Sequence, residues 1–223
     1  MLPSEGTLFD AKKIFLFCEG RTEYNYFTGL TTELRSSRIE VVPRYPDQEQ
    51  GEGTDIKKLV EQVLGAIRTG TVRVDREGHT RERSVQDIDE FKVLFDRDTN
   101  FRPVKRTGRS KYDDAVDMIR GNRIDLFLSN YSFEVWILCH FTVPDRVVKS
   151  TALQYEIRNV AHWDAYRKND REIFRKLMDR LDDALVNAAK LLERKRGIKI
   201  HSEESDPVTE VGHLVDHLLS QMF

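Results

Sequence analysis

Lys12 to Phe27 reads KKIFLFCEGRTEYNYF, and this stretch decides how the rest of the chain is organised. Ile14 to Cys18 is an unbroken apolar run of strand length, rich in β-branched and aromatic residues. A strand that alternated between core and solvent would alternate in polarity. A continuous run instead predicts a strand covered on both faces, as in a parallel sheet with helices on each side. The run stops at Glu19, and Gly20 opens a segment from Thr22 to about Leu34. There Tyr26, Phe27, Leu30 and Leu34 recur at helical spacing. A carboxylate at the end of a buried strand is either a solvated turn residue or one part of a site.

The same alternation continues downstream. Ile39 to Pro43 is a second short strand, and Arg44 to Gly53 is a polar loop. Thr54 or Asp55 can cap a helix presenting Ile56, Leu59, Val60, Val63, Leu64 and Ile67 on one face. Residues 70–87 are charged and irregular, suited to a small hairpin or a mobile loop. Phe91 to Phe95 (FKVLF) is a third strand, and it too ends on a carboxylate, Asp96, with Asp98 two residues later. A helix from about Tyr112 to Arg120, a strand from Ile124 to Leu128 and a buried helix from Phe133 to Phe141 follow. Strands alternating with helices predict an α/β fold, a Rossmann-like parallel sheet flanked by helices. Past Val143 the pattern turns helical and charged, with stretches at 151–161, 168–196 and 208–221, split near Lys199 to Pro207. The expected division is an α/β core over 12–142 and a C-terminal helical extension over 143–223 packed on it.

Composition narrows the classes. The 223 residues are 39% hydrophobic and 33% charged, with a formal net charge of −2. That balance argues against a wholly basic nucleic-acid binder while leaving room for local basic stripes. No run approaches the roughly 20 apolar residues of a membrane span, and MLPSEGTLFDAKK has no apolar signal segment. Cys18 and Cys139 each lie inside an apolar run, as small buried thiols do, and two cysteines make no disulfide framework. A cytoplasmic protein is expected.

In open parallel sheets, ligands bind outside the carboxyl ends of the strands. If the first and third strands are neighbours, Glu19, Asp96 and Asp98 share one crevice. Carboxylates so close repel one another unless neutralised. The hard cations Mg2+ or Mn2+ suit an all-oxygen site, and can activate water and stabilise a phosphoryl displacement. Acids after strands also serve as turn and cap residues, and Asp-x-Asp alone reads that way. The pairing of two strand ends gives the pattern its weight.

FLFCEGRTEYNYF together with VLFDRDTN resembles the Toprim pattern of topoisomerases, primases and OLD-type nucleases: a Glu after the first strand and Asp-x-Asp after a later one. More narrowly, EGRTEYNYF, FDRD, SNYSFEVWILCHF and DPVTEVGHLVDHLL, in that order, resemble the RloB family over residues 12 to 220. That resemblance implies a Toprim-related fold, a role in bacterial abortive infection and phage defence, and a neighbouring AAA- or ABC-type ATPase as partner. It implies a metal-dependent nuclease acting on DNA or RNA. Glu19 would then be a metal ligand or general acid/base, Asp96 and Asp98 would bind the metal, and Glu23 would face the same site. Glu134 matches the acid of the SN-x-x-F-E-x-W segment, read either as a first-turn helix carboxylate or as an acid pointing into the crevice. The family more often has Pro-Cys where this chain has Tyr131–Ser132, which alters the turn and spares Ser129, Asn130 and Glu134. Ser129 and Asn130 are themselves helix-capping residue types. The tyrosine-bearing domain of topoisomerases is lacking, so strand passage is not expected.

Five basic residues and no acid fall in 102–111: Arg102, Lys105, Arg106, Arg109 and Lys111. They could hold a phosphate backbone beside the metal, and they read equally as a solvated loop. Arg21 and Arg97 are each a phosphate clamp or a counter-charge to adjoining acids. Gly51 to Gly53 before a helix hints at an anion-binding turn, but the Gly-x-x-x-x-Gly-Lys of a phosphate loop is missing. His213 and His217, four apart, share a helix face without a metal-protease pattern around them. His140, Trp136 and Trp163 read as core residues. The alternative to a nuclease is a non-catalytic module that binds a phosphate-bearing ligand or docks an ATPase. A small-molecule hydrolase has no nucleophile–base pair to support it.

Overall fold

The computed structural model describes residues 12–42, 55–76, 79–97, 100–145, 150–159, 162–164, 166–199 and 202–222. The polar loop at 44–53, its Gly51–Gly53 turn and Asp98 lie outside the described residues.

The central sheet has five strands in the order β2-β1-β5-β6-β7. These are β1 (Ile14–Cys18), β2 (Ile39–Val42), β5 (Glu90–Asp96), β6 (Ile124–Asn130) and β7 (Val208–Thr209). The first four pair in parallel, with Ile14 opposite Ile39 on one side and Glu90 on the other, and Asp96 opposite Ser129. This is the α/β, Rossmann-like sheet expected from the strand–helix alternation, and the first strand does lie beside the third strand-like run of the sequence, β5.

The apolar run of β1 is explained by its position. Ile14, Leu16 and Cys18 enter one core with α1 (Arg21–Glu33) and α4 (Glu134–Cys139). Phe15 and Phe17 enter the opposite core with α2 (Ile56–Thr69). All five are buried. The period-2 alternation of strand side chains therefore divides one apolar run between two apolar layers. Each such side chain contributes about 1.5–3 kcal/mol through burial.

Local signals set the helix ends. The Asp55 side chain accepts from the Lys58 N–H at 3.0 Å and caps α2, and Gly70, at φ 70°, closes it. Ser110 and Asp113 form a reciprocal capping box for α3 (Lys111–Met118). The charged segment at 70–87 is a hairpin, β3 (Thr71–Arg76) against β4 (His79–Ser84), with Val72 and Val74 turned into the core beside α2.

Two features of the C-terminal part differ from the sequence expectation. The stretch at 168–196 is not one helix. It comprises α6 (Ile173–Leu177), a 3-10 turn at Met178–Arg180 and α7 (Leu181–Arg194). Before α6, Asn169 takes φ 65° and the Asp170 carboxylate accepts from the Glu172 N–H at 2.9 Å. Asn and Asp form such turns readily, in competition with a helix. Likewise 208–221 begins as β7, antiparallel to β6, before α8 (Val211–Ser220). The β-branched pair Val208–Thr209 gains sheet hydrogen bonds that a helix would forgo. The described part of 143–223 also includes α5 (Ser150–Asn159), and α5, α6, α7 and α8 share one apolar core with β1, α1 and α4. Among the described residues no helix is long and apolar enough to cross a membrane.

Candidate active site

Glu19 leaves the carboxyl end of β1 and Asp96 ends β5, side by side. The Glu19 N–H donates to the Leu94 carbonyl at 3.0 Å, and the Asp96 N–H donates to Glu19 Oε2 at 3.0 Å. Asn100, fully buried, ties the pair together. Its Nδ2 donates to Glu19 Oε2 at 3.1 Å and to the Asp96 carbonyl at 2.7 Å, and its Oδ1 accepts from the Ile56 N–H at 3.1 Å. One amide thus joins two strand ends to the start of α2.

Glu23 sits in the first turn of α1 and is 4% exposed. Its carboxylate folds back over Gly20, so close that a Cβ at Gly20 would lie 2.4 Å from Glu23 Oε2. Gly20 has φ −115°, open to any residue. The glycine therefore leaves room for the Glu23 carboxylate, and the backbone conformation does not call for it. Glu134 lies in the first turn of α4 and is 1% exposed. It accepts from Ser132 Oγ at 2.7 Å and from Tyr166 Oη at 3.1 Å, and Lys168 Nζ stands 3.5 Å away.

These four acids act on one another. Burial pushes Glu19 from an ordinary 4.5 up to about 8; repulsion from Glu23 and Asp55 adds to this, against the Asp96 and Asn100 hydrogen bonds. Burial raises Glu23 to about 7, helped by Glu134 and opposed by its own backbone N–H and by Lys168. Asp96 is held well above its usual range by burial first, then by Glu23, Glu19 and Glu134, with Lys168 opposing. Asp96 as a residue keeps some exposure, but its Oδ1 is closed off from solvent and has no hydrogen-bond partner among the described residues. Carboxyls raised by burial and by neighbouring acids make the cluster a candidate functional site.

The donors are hard oxygens, and a buried, unpartnered Asp96 Oδ1 is what a divalent cation would satisfy. In that respect the residues suit Mg2+ or Mn2+. Among the described residues, no group of three or more His, Cys, Asp or Glu side chains stands in metal-holding geometry.

The basic residues divide into groups. Arg109 pairs with Asp114 at 3.0 Å and with Asp117, and Lys111 pairs with Asp55 at 2.9 Å. Their charges are engaged within the fold. Arg102, Lys105 and Arg106 are exposed in the loop after β5. Arg21 is exposed and lies over the Tyr24 ring, 5.3 Å from its centroid. Arg97 acts on Asp206, opposing the rise that burial gives that carboxyl.

Other candidates are structural. Ser129 Oγ donates to the Ser132 carbonyl at 2.8 Å, and Asn130 Nδ2 donates to Ser205 Oγ at 2.9 Å, fastening the turn between β6 and α4. His140 Nδ1 donates to the Trp136 carbonyl and Nε2 accepts from Tyr26 Oη, each at 3.1 Å. Burial lowers that imidazole to about 4, so it is a neutral core group at ordinary pH. His217 pairs with Glu90 at 3.0 Å, at the opposite, amino end of the strands. Cys18 and Cys139 are buried free thiols, both raised by burial.

Sequence reasoning missed Asn100, Tyr166 and Lys168. Asn100, in the DRDTN segment, carried a signal: an amide four residues after a strand-end acid. Tyr166 and Lys168 carried none, because they come from a segment some 70 residues downstream that reads as charged surface.

The buried acids at the carboxyl edge of two adjacent parallel strands stand where open α/β sheets bind their ligands. The family model described as RloB-like protein matches residues 14–218, nearly the whole chain, and the protein belongs to that family. No curated protein and no solved structure matches it.

Proposed function

We propose that this RloB-like protein is a divalent-cation-dependent phosphodiesterase of the Toprim type, cleaving DNA or RNA in bacterial defence against phage. The observation that carries the reading is the cluster of Glu19, Glu23 and Asp96 at the carboxyl edge of β1 and β5, with all three carboxyls raised by burial first and then by neighbouring acids, Glu134 among them. Glu19 and Asp96, with Asp98 two residues further on in the sequence, would hold the ion. When bound, Mg2+ or Mn2+ supplies an activated water and neutralises charge on the phosphoryl group. The chain's own residues do the remainder. Asn100 holds Glu19 against β5. Arg102, Lys105 and Arg106 offer exposed charge to a phosphate backbone. The family resemblance supports the defence role, the cytoplasmic setting and an AAA- or ABC-type ATPase partner.

The test is cleavage of a panel of DNA and RNA with Mg2+ or Mn2+ by the wild type and by Asp96→Ala/Asp98→Ala. Loss of cleavage in a variant with unchanged circular dichroism is expected. Undiminished cleavage refutes the reading.

One observation favours a second reading. The described acids stand outside metal-holding geometry, and Lys168 already pairs with Glu134. A non-catalytic module that holds a phosphate-bearing ligand or docks an ATPase would have that arrangement. It predicts no cleavage by the protein, alone or with its neighbour-encoded ATPase.

A further inference from the structure

The basic segment after β5 is not a slack loop. Arg102 to Arg109 are all exposed, yet their backbones bond to one another. The Val104 N–H donates to the Arg109 carbonyl at 2.9 Å. The Val104 carbonyl accepts from the Thr107 N–H at 3.1 Å and from the Gly108 N–H at 2.8 Å. The Arg109 N–H donates to Thr107 Oγ1 at 3.3 Å. Val104 to Thr107 is thus a β-turn with Lys105 and Arg106 at its two corners. Gly108, in the left-handed region at φ 68°, returns the chain. A Cβ at Gly108 would meet nothing within 4 Å, so the tip stands in open space.

The root of this finger is built as firmly as its tip. Arg109 is held by Asp114 at 3.0 Å and by Asp117, both on α3. Phe101 stacks on Tyr112 with 4.5 Å between ring centroids, and both stack on the buried Phe95 of β5. The Tyr112 N–H donates at 3.0 Å to the carbonyl of Asn100, whose amide joins Glu19 to β5. The finger therefore springs from the acid cluster. Arg106 follows so soon after Asn100 in the chain that the tip lies within about 20 Å of it.

Shape and charge together name a partner. The Arg109 guanidinium is taken up by α3, while Lys105 and Arg106 at the corners and Arg102 nearer the root are exposed. Two chains run side by side at the neck, about 5 Å apart, so with side chains the finger is roughly 10 Å across. The major groove of B-form DNA is about 12 Å wide and admits a two-stranded ribbon, whereas the minor groove is only about 6 Å wide. The major groove of an RNA duplex is too deep and narrow for side chains to read. Lys and Arg are also the residues that donate to guanine O6 and N7 on the major-groove edge.

We infer that residues 102–109 form a preformed finger that enters the major groove of double-stranded DNA, with Lys105 and Arg106 on base edges and Arg102 on a flanking phosphate. This rests on the phosphodiesterase reading of the acid cluster and narrows its substrate to duplex DNA. A turn already closed by its own hydrogen bonds gives up little conformational freedom on binding.

The experiment measures equilibrium binding of the full chain to fluorescent oligonucleotides, in chelator and at one fixed salt concentration. The probes are a DNA duplex, its single strand, an RNA duplex of the same sequence, and a DNA duplex whose cytosines carry glucosylated hydroxymethyl groups at C5, which fill the major groove. The proteins are wild type, Lys105→Ala/Arg106→Ala and Gly108→Val. The last keeps every charge but strains the φ 68° turn. Wild type should bind the plain DNA duplex on the order of tenfold more tightly than each other probe, and both variants should lose that preference. Wild-type binding by Gly108→Val overturns the shaped finger. Equal binding of wild type to the RNA duplex or the single strand, or indifference to the C5 sugars, overturns the groove assignment. Cleavage with Mn2+ is read in parallel. If wild type cleaves DNA while both variants bind as it does, the finger falls and the phosphodiesterase reading stands. If the preference for duplex DNA holds and no nucleic acid is cleaved, the phosphodiesterase reading falls and the finger stands.

Discussion

Asn100→Ala should be among the most damaging single substitutions at the site, although Asn100 need never touch a substrate. Its amide makes three bonds that alanine cannot: to Glu19, to the Asp96 carbonyl and from the Ile56 N–H. Ile56 is fully buried at the first position of α2, so its N–H is left in the interior without an acceptor. An orphaned buried donor costs about 1–3 kcal/mol, and each of the other two bonds contributes about 1 kcal/mol. The sum is about 3–5 kcal/mol, or a fall in Tm of roughly 10 °C for a chain of this size. The same change removes a donor that favours ionised Glu19, so that carboxyl rises further above about 8. Each additional unit would weaken ion binding at neutral pH by about tenfold, because the proton must leave first. Urea and thermal unfolding read the first effect, and Mn2+ titration reads the second. Melting of Asn100→Ala within about 2 °C of wild type would show that the amide does not join β1, β5 and α2 as described.

Glu19→Gln should change how stability depends on pH. The folded Glu19 carboxyl sits at about 8 against an ordinary 4.5, so the folded state retains a proton that the unfolded state releases between those values. Its contribution is full below about pH 4.5 and is lost as pH rises to about 8. In chelator, wild type should lose stability relative to Glu19→Gln across that window, and parallel curves would contradict the assignment. Gly20→Ala should leave Tm within about 2 °C, since only the flexible Glu23 carboxylate must move. Displacing that acid should cut Mn2+-dependent cleavage on the order of 100-fold; full activity would remove Glu23 from the site. Replacing Arg102, Lys105 and Arg106 together with Ala should flatten the dependence of log affinity for DNA or RNA on log salt by up to about 3. Arg109→Ala and Lys111→Ala should change it less, because those charges are held by Asp114, Asp117 and Asp55.

Much of the architecture is local and therefore legible. The apolar run Ile14–Cys18 requires cover on both faces, which dictates a parallel sheet and places Glu19 at its ligand-binding edge. Asp96 follows by the same argument from FKVLF. Asp55 announces the start of α2 through its own side chain. The C-terminal part yielded less. Leu, Lys and Arg around 168–196 favour a helix, but Asn169 and Asp170 turn the chain so that Lys168 meets the acids. That outcome depends on Thr22 and Asn25, more than 140 residues away in sequence. The basic segment shows the same limit: five like charges within ten residues say nothing of which are paired, and Lys111 finds Asp55 only once α2 and α3 are packed. Sequence alone determined the sheet and its two strand-end acids, because periodicity and burial act over a few residues. Only the tertiary structure decided which buried groups act on those acids: Glu134 and Lys168 meet them through folding of distant segments, Asn100 reaches Glu19 because β5 lies beside β1, and electrostatic forces follow distance in space rather than separation along the chain.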